Sequence, residues 1–176
     1  FAGQNKALAA EIIETGAGFG FTAEQALSAG SRMAQLSALV GEAATATATE
    51  LGQQFALISG MGTEEAMQRM INLQQQTGFM YGDLTNKQFR LLSAENQRAT
   101  VMSNTLETLD QLNTVENRSA ATLKQITFVM NQFAAQAHQT GESIANMAAM
   151  SATLIEAGEE QGKAGRALRM IYARLG

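Results

Sequence analysis

A chain of 176 residues that is 45% hydrophobic, 16% charged and 6% aromatic has the makeup of one domain or of one piece of a larger one. The absence of Cys excludes a disulfide scaffold, thiolate chemistry and any Cys-ligated zinc or iron–sulfur site. A single His, His138, excludes a multi-histidine metal site, and a net charge of −4 argues against a broadly basic nucleic-acid-binding surface.

The chain runs from Phe1 to Gly176 with no initiator Met, and no signal or transit peptide is visible. The simplest expectation is a segment of a longer polypeptide. The longest uncharged run, between Lys124 and Glu142, carries several Gln and Asn residues and is no ordinary membrane span. Ala, Leu, Met, Gln and Glu dominate, Pro is absent, and no stretch alternates like a strand. The fold class read from this is all-α: a multi-helix assembly of short to medium helices with Gly-rich breaks.

In chain order, a first helix is predicted over about Ala2 to Glu14, ended by Gly16, Gly18 and Gly20, with Phe19 and Phe21 docking into a core. Thr22 caps a second helix, with Gln25 at the capping-box position. Ala26, Ala29, Met33, Leu36 and Val40 form its apolar stripe, and Gly41 ends it. The Ala-Thr run from Ala43 to Thr49 alternates like a strand, yet Leu51, Phe55 and Ile58 continue at helical spacing. Helix is therefore predicted from Glu42 to Ser59, with small residues that allow close approach of another helix. Thr63 caps the next helix, whose face carries Met67, Met70, Ile71 and the stem of Gln74; Thr77-Gly78 ends it.

From Thr85 one long helix is predicted, with a seam of Ala99, Met102, Leu106 and Leu109 and a break near Asn113 to Ser119. Asn117 or Ser119 caps the following helix, where Ile126, Val129, Met130, Phe133 and Ala137 share a face; Gly141 stops it. Ser143 opens a helix with Ile144, Met147, Met150/Ser151 and Leu154 on one side. A last helix, from about Glu159 to Leu175, buries Leu168, Ile171, Tyr172 and Leu175. The chain thus divides into a helical N-terminal part, 1-112, and a second part, 113-176.

Few residues invite chemistry. Glu11/Glu14, Glu64/Glu65 and Glu159/Glu160 are paired carboxylates without a neighbour that would separate their pKa values, and they read as helix acids. His138, close to a helix C-terminus, suits the helix dipole. Gly16-Ala17-Gly18-Phe19-Gly20-Phe21 lacks the strand and Lys-Ser/Thr of a phosphate loop and reads as a helix–helix turn. The methionines read as core filler, with a surface that repacks between assembly states as the sharper alternative. Lys163, Arg166, Arg169 and Arg174 form a basic stripe: a solvated face, or a docking stripe for an acidic partner or DNA. No catalytic, cofactor-binding or metal-ligating residue is assigned, no cofactor is implied, and the chain is read as no enzyme.

The C-terminal stretch is the most specific. It contains Gly141-Glu142-Ser143, a helix closing at Gly158, and then Ala164-Gly165-Arg166-Ala167-Leu168-Arg169 with Arg174-Leu175 at the end. This resembles the TP901-type core region of phage tail tape measure proteins over about Asn117 to Gly176; Arg166 stands where that family often has Thr. The resemblance implies a structural virion protein in the lumen of the tail tube, in the host cytoplasm during assembly, with this segment a folded helical part. It implies a homo-oligomer of three or six copies, packed through Met-rich and Ala/Gly-rich faces. Tail tube and tail tip or baseplate hub proteins are the implied partners, with the host membrane as a further one during genome ejection and no sequence-specific nucleic acid. The alternatives are a membrane-active helical protein assisting genome entry, a generic helical adaptor and, third, a cell-wall hydrolase.

Overall fold

The computed structural model describes residues 2–176, without the side chains of residues 2–5 and Met33; Phe1 and the Met33 stripe position therefore lie outside the described residues. The described residues form ten α-helices and one short 3₁₀ turn, with no strand among them, as the composition requires. They are α1 (Ala2–Gly18), α2 (Ala23–Gly30), α3 (Met33–Val40), α4 (Glu42–Ser59) and α5 (Thr63–Thr77), then, after the 3₁₀ turn Phe79–Tyr81, α6 (Asn86–Arg90), α7 (Ala94–Asn117), α8 (Leu123–Gln139), α9 (Ile144–Glu156) and α10 (Gln161–Leu175). Two compact units result. The first comprises Phe1–Ile71 with Met80–Thr105, the second Asn72–Phe79 with Leu106–Gly176.

In the first unit α4 is central, with α1, α2 and α3 packed on it. The Ala-Thr run is helical. Its Thr side chains satisfy themselves along the helix: the Thr45 Oγ1 hydroxyl donates to the Gly41 carbonyl at 2.8 Å and Thr49 Oγ1 to the Thr45 carbonyl at 2.9 Å. Ala44, Ala48, Leu51 and Phe55 are buried with them, but Ile58 is 45% exposed. Close packing shows at Gly52, where an added Cβ would meet the Met67 side chain. The Gly16–Phe21 stretch is a helix-ending turn, as read. Phe21 N–H returns to the Gly16 carbonyl at 2.9 Å, and α1 runs on to Gly18, past the expected end at Glu14. Phe19 and Phe21 are half-buried.

Three further boundaries in the first unit differ from the sequence reading. The second predicted helix is two, α2 and α3, separated at Ser31-Arg32. There the Ser28 and Ser31 hydroxyls donate to the carbonyls three residues back at 2.8 and 2.7 Å, which competes with the helical ladder after Gly30. The long helix from Thr85 is also two. Thr85 and Gln88 form the expected capping box of α6, but Ser93 restarts the chain by accepting from Asn96 N–H at 3.3 Å, and Gln97 Nε2 donates to the Leu92 carbonyl at 3.2 Å. Finally, Thr63 is not a cap. Its hydroxyl lies 2.5 Å from the Gln25 carbonyl and 2.8 Å from Ser28 Oγ, tying α5 to α2.

In the second unit α8 is the hub, packed chiefly against α10 and also against α9. Its N-cap is Thr122, not Asn117 or Ser119. Thr122 Oγ1 accepts from Gln125 N–H at 3.3 Å while Thr122 N–H donates to Gln125 Oε1 at 2.9 Å. Two acids finish the preceding loop: Glu116 accepts from Leu123 N–H, and Glu156 from Ala120 N–H, both at 2.8 Å. The predicted face of α8, from Ile126 to Ala137, is buried throughout. Of the predicted α7 seam Leu109 is inside, together with Val101, Thr105, Thr108 and Leu112, whereas Ala99, Met102 and Leu106 are exposed. In α10, Leu168 and Tyr172 are buried as expected, but Ile171 and Leu175 are 52% and 68% exposed.

Candidate docking groove on the second unit

The pairing of α8 with α10 depends on the absence of a side chain. Gly165 is buried, and a Cβ there would lie 2.5 Å from Gln132 Cδ and 2.9 Å from Gln132 Cβ. The end of the Gln132 side chain can swing away; its Cβ is fixed by the helix. Gly165→Ala is therefore expected to destabilise the second unit by about 1–3 kcal/mol, despite the better helix propensity of Ala. Chemical denaturation followed by helix signal measures it, and a stabilised variant would contradict this packing.

Tyr172 lies on the buried side of α10, stacked on Phe133 with ring centroids 5.9 Å apart and an interplanar angle of 14°. Its hydroxyl meets Met150 Sδ at 3.2 Å. Burial, and then the Glu142 carboxylate, hold its pKa above the usual tyrosine value. The folded state thus keeps the proton more tightly than the unfolded chain does. Stability from this source is complete below about pH 10 and falls as the pH rises through the folded value. Tyr172→Phe should flatten that alkaline loss in a melting-temperature series. An equally steep loss in the variant would remove Tyr172 as its cause.

On the other flank of α10 a groove of about 410 Å³ opens toward α8 and the end of α5. Gln76, Asn131, Gln132, Gln136, Arg166 and Arg169 line it. Gln76 Nε2 donates to the Asn131 carbonyl at 2.9 Å, which fixes the amide across 55 residues of sequence. Two polar atoms remain buried without a partner: Gln76 Oε1, an acceptor, and Asn131 Nδ2, a donor. Arg166 and Arg169 are exposed, and neither has an acidic partner among the described residues.

The basic stripe read from sequence is thus divided. Arg166 and Arg169 share the groove. Lys163 instead pairs with Glu160 at 3.4 Å, and Arg174 lies outside the groove. The amides from α5 and α8 carry no signal in the sequence, because no local pattern links Gln76 to Asn131.

The paired carboxylates behave as helix acids. Glu64 meets Arg32 at 3.0 Å and Glu65 meets Arg69 at 3.1 Å. Glu11, Glu14 and Glu159 are exposed. His138 is exposed in the last turn of α8. Among the described residues no cluster of three His, Asp or Glu could hold a metal ion, and no helix is long and apolar enough to cross a membrane. Of the methionines, Met67, Met70, Met130 and Met147 are core filler, while Met102 and Met170 are exposed. Ala164 and Gly165 are likewise spent against neighbours inside the unit.

No curated protein and no solved structure matches the chain significantly. A family model, described as phage-related minor tail protein, matches residues 89–176, beginning upstream of the Asn117 boundary and covering all of α7 to α10. With half of its length matched, the chain belongs to the phage-related minor tail protein family and is a structural protein of the phage tail.

Proposed function

We propose that the chain is a folded helical part of a tail tape measure protein, in the lumen of the tail tube and acting without catalysis. The observation that carries this is the membership of residues 89–176 in a tail protein family, joined to an all-helical build. The Ala164 to Leu175 pattern, which resembles the tape measure core, supports the finer assignment. A helical ruler has a simple physical basis, since each residue adds about 1.5 Å to a straight helix. This stretch as one straight helix would reach roughly 260 Å, but its helices are short and packed on one another, so it serves as an anchor and not as the ruler itself.

Anchoring would use surfaces that the units leave open. Met170, Ile171 and Leu175 are all more than half exposed at the end of α10 and suit contact with copies of the chain or with tail tip or hub proteins. The buried Met and Ala/Gly positions cannot serve unless the units open. The test is tail length by electron microscopy after in-frame shortening of the helical parts of the parent protein outside these residues. Tails that shorten in proportion to the residues removed support the assignment. Tails of unchanged length would remove it, while leaving membership of the tail family intact.

A further inference from the structure

We propose that the groove between α8 and α10 binds an extended acidic peptide segment of a partner protein, held by Arg166 and Arg169. The inference needs only the second unit and does not rest on the tape measure reading. Its first support is charge. Two exposed guanidinium groups stand one helical turn apart with no acid to neutralise them. Guanidinium forks favour carboxylates in bidentate geometry. Side chains one turn apart on a helix are about 5–6 Å apart at Cβ. Alternate residues of an extended chain are about 6.6 Å apart and point the same way. Acidic residues at alternate positions therefore match the two arginines.

The second support is the amide wall of the groove. Gln76, Asn131, Gln132 and Gln136 line it beside the two arginines. Side-chain amides both donate and accept, as peptide backbone does, whereas a phosphodiester backbone offers acceptors only. The volume, about 410 Å³, falls within the range of about 300–1,000 Å³ usual for ligand sites. No two acids of residues 1–176 stand at alternate positions, so the occupant is a different sequence from this stretch.

The experiment titrates the intact chain into a short labelled peptide carrying glutamates at alternate positions, followed by fluorescence anisotropy. A glutamine version of the peptide and a DNA duplex are run alongside. The expected result is saturable binding of the glutamate peptide that weakens with added salt and is absent for the glutamine peptide. The double substitution Arg166→Gln/Arg169→Gln should weaken it about tenfold or more, while Arg174→Gln on the same helix leaves it unchanged. Both groove arginines are exposed, so the double variant keeps its fold, which its helix signal verifies. Equal affinity for the two peptides, no binding of either, or an unaffected double variant would each overturn the proposal. Duplex binding tighter than peptide binding, and lost in the double variant, would overturn it in favour of a phosphate ligand.

Discussion

Phe133→Ala is expected to destabilise the second unit by about 3–5 kcal/mol, the cost of emptying a fully enclosed aromatic site. Phe133 is 0% exposed at the middle of α8 and carries the stacked ring of Tyr172, so the deletion removes the hydrophobic contact that holds α10. The loss should be local in character. Protease sensitivity is expected to rise first in α10, which also packs through the buried Ala164 and Leu168 and the close approach at Gly165. Denaturant unfolding of the wild type and the variant measures the energy, and limited proteolysis locates the opening. A change of less than about 1 kcal/mol would mean that the α8–α10 contact is not the core of this unit.

Phe89→Ala should cost the first unit a similar amount, about 3–5 kcal/mol. Phe89 is fully buried although α6 has only five residues, and the Tyr81 ring lies 4.7 Å away. Tyr81 is in turn fixed by its hydroxyl, which donates to the Leu39 carbonyl at 2.6 Å and accepts from Asn86 Nδ2 at 2.8 Å. The near neighbour Leu91 supplies the control. It is 79% exposed, and Leu91→Ala should change stability by no more than about 0.5 kcal/mol. Equal effects at the two positions would contradict the placement of α6. The contrast matters because hydropathy alone ranks these residues alike.

The elements most legible in the sequence are those where two signals agree. In α8 the Thr122-Gln125 box and an unbroken apolar stripe point to one helix with one buried face, and that is what forms. Even there residue type alone does not place the cap, because Ser119 and Asn117 suit it as well as Thr122, and the cap at Thr122 goes with the loop N–H groups that donate to Glu116 and Glu156. In α7 the apolar positions Met102 and Leu106 read as the seam. The core instead takes Val101, Thr105 and Thr108, since Thr is small and half apolar and fits where a long side chain would not. The break at Ser93 is masked in the sequence because Leu91 and Leu92 continue an apolar pattern up to it.

The groove was legible only in part. The spacing of Arg166 and Arg169 puts both on one side of α10, which the structure bears out, but Lys163, which the same spacing places with them, pairs with Glu160. The amide wall comes from α5 and α8, and a contact between residues 55 positions apart leaves no trace in local periodicity. The pattern around Gly165 resembles the tape measure core, and the family match over residues 89–176 supports a phage tail protein. Gly165 has a physical reason to be glycine here, because α10 meets Gln132 at a distance that no Cβ allows.

The placement of this segment in the tail is tested most directly by cross-linking intact tails through Lys6, Lys87, Lys124 and Lys163, all four of which are exposed. Lysine-reactive linkers followed by mass spectrometry should yield links from these residues to tail tube, tip or hub proteins and between equivalent lysines of neighbouring copies. Links confined to the chain itself, with none to any other tail component, would contradict that placement.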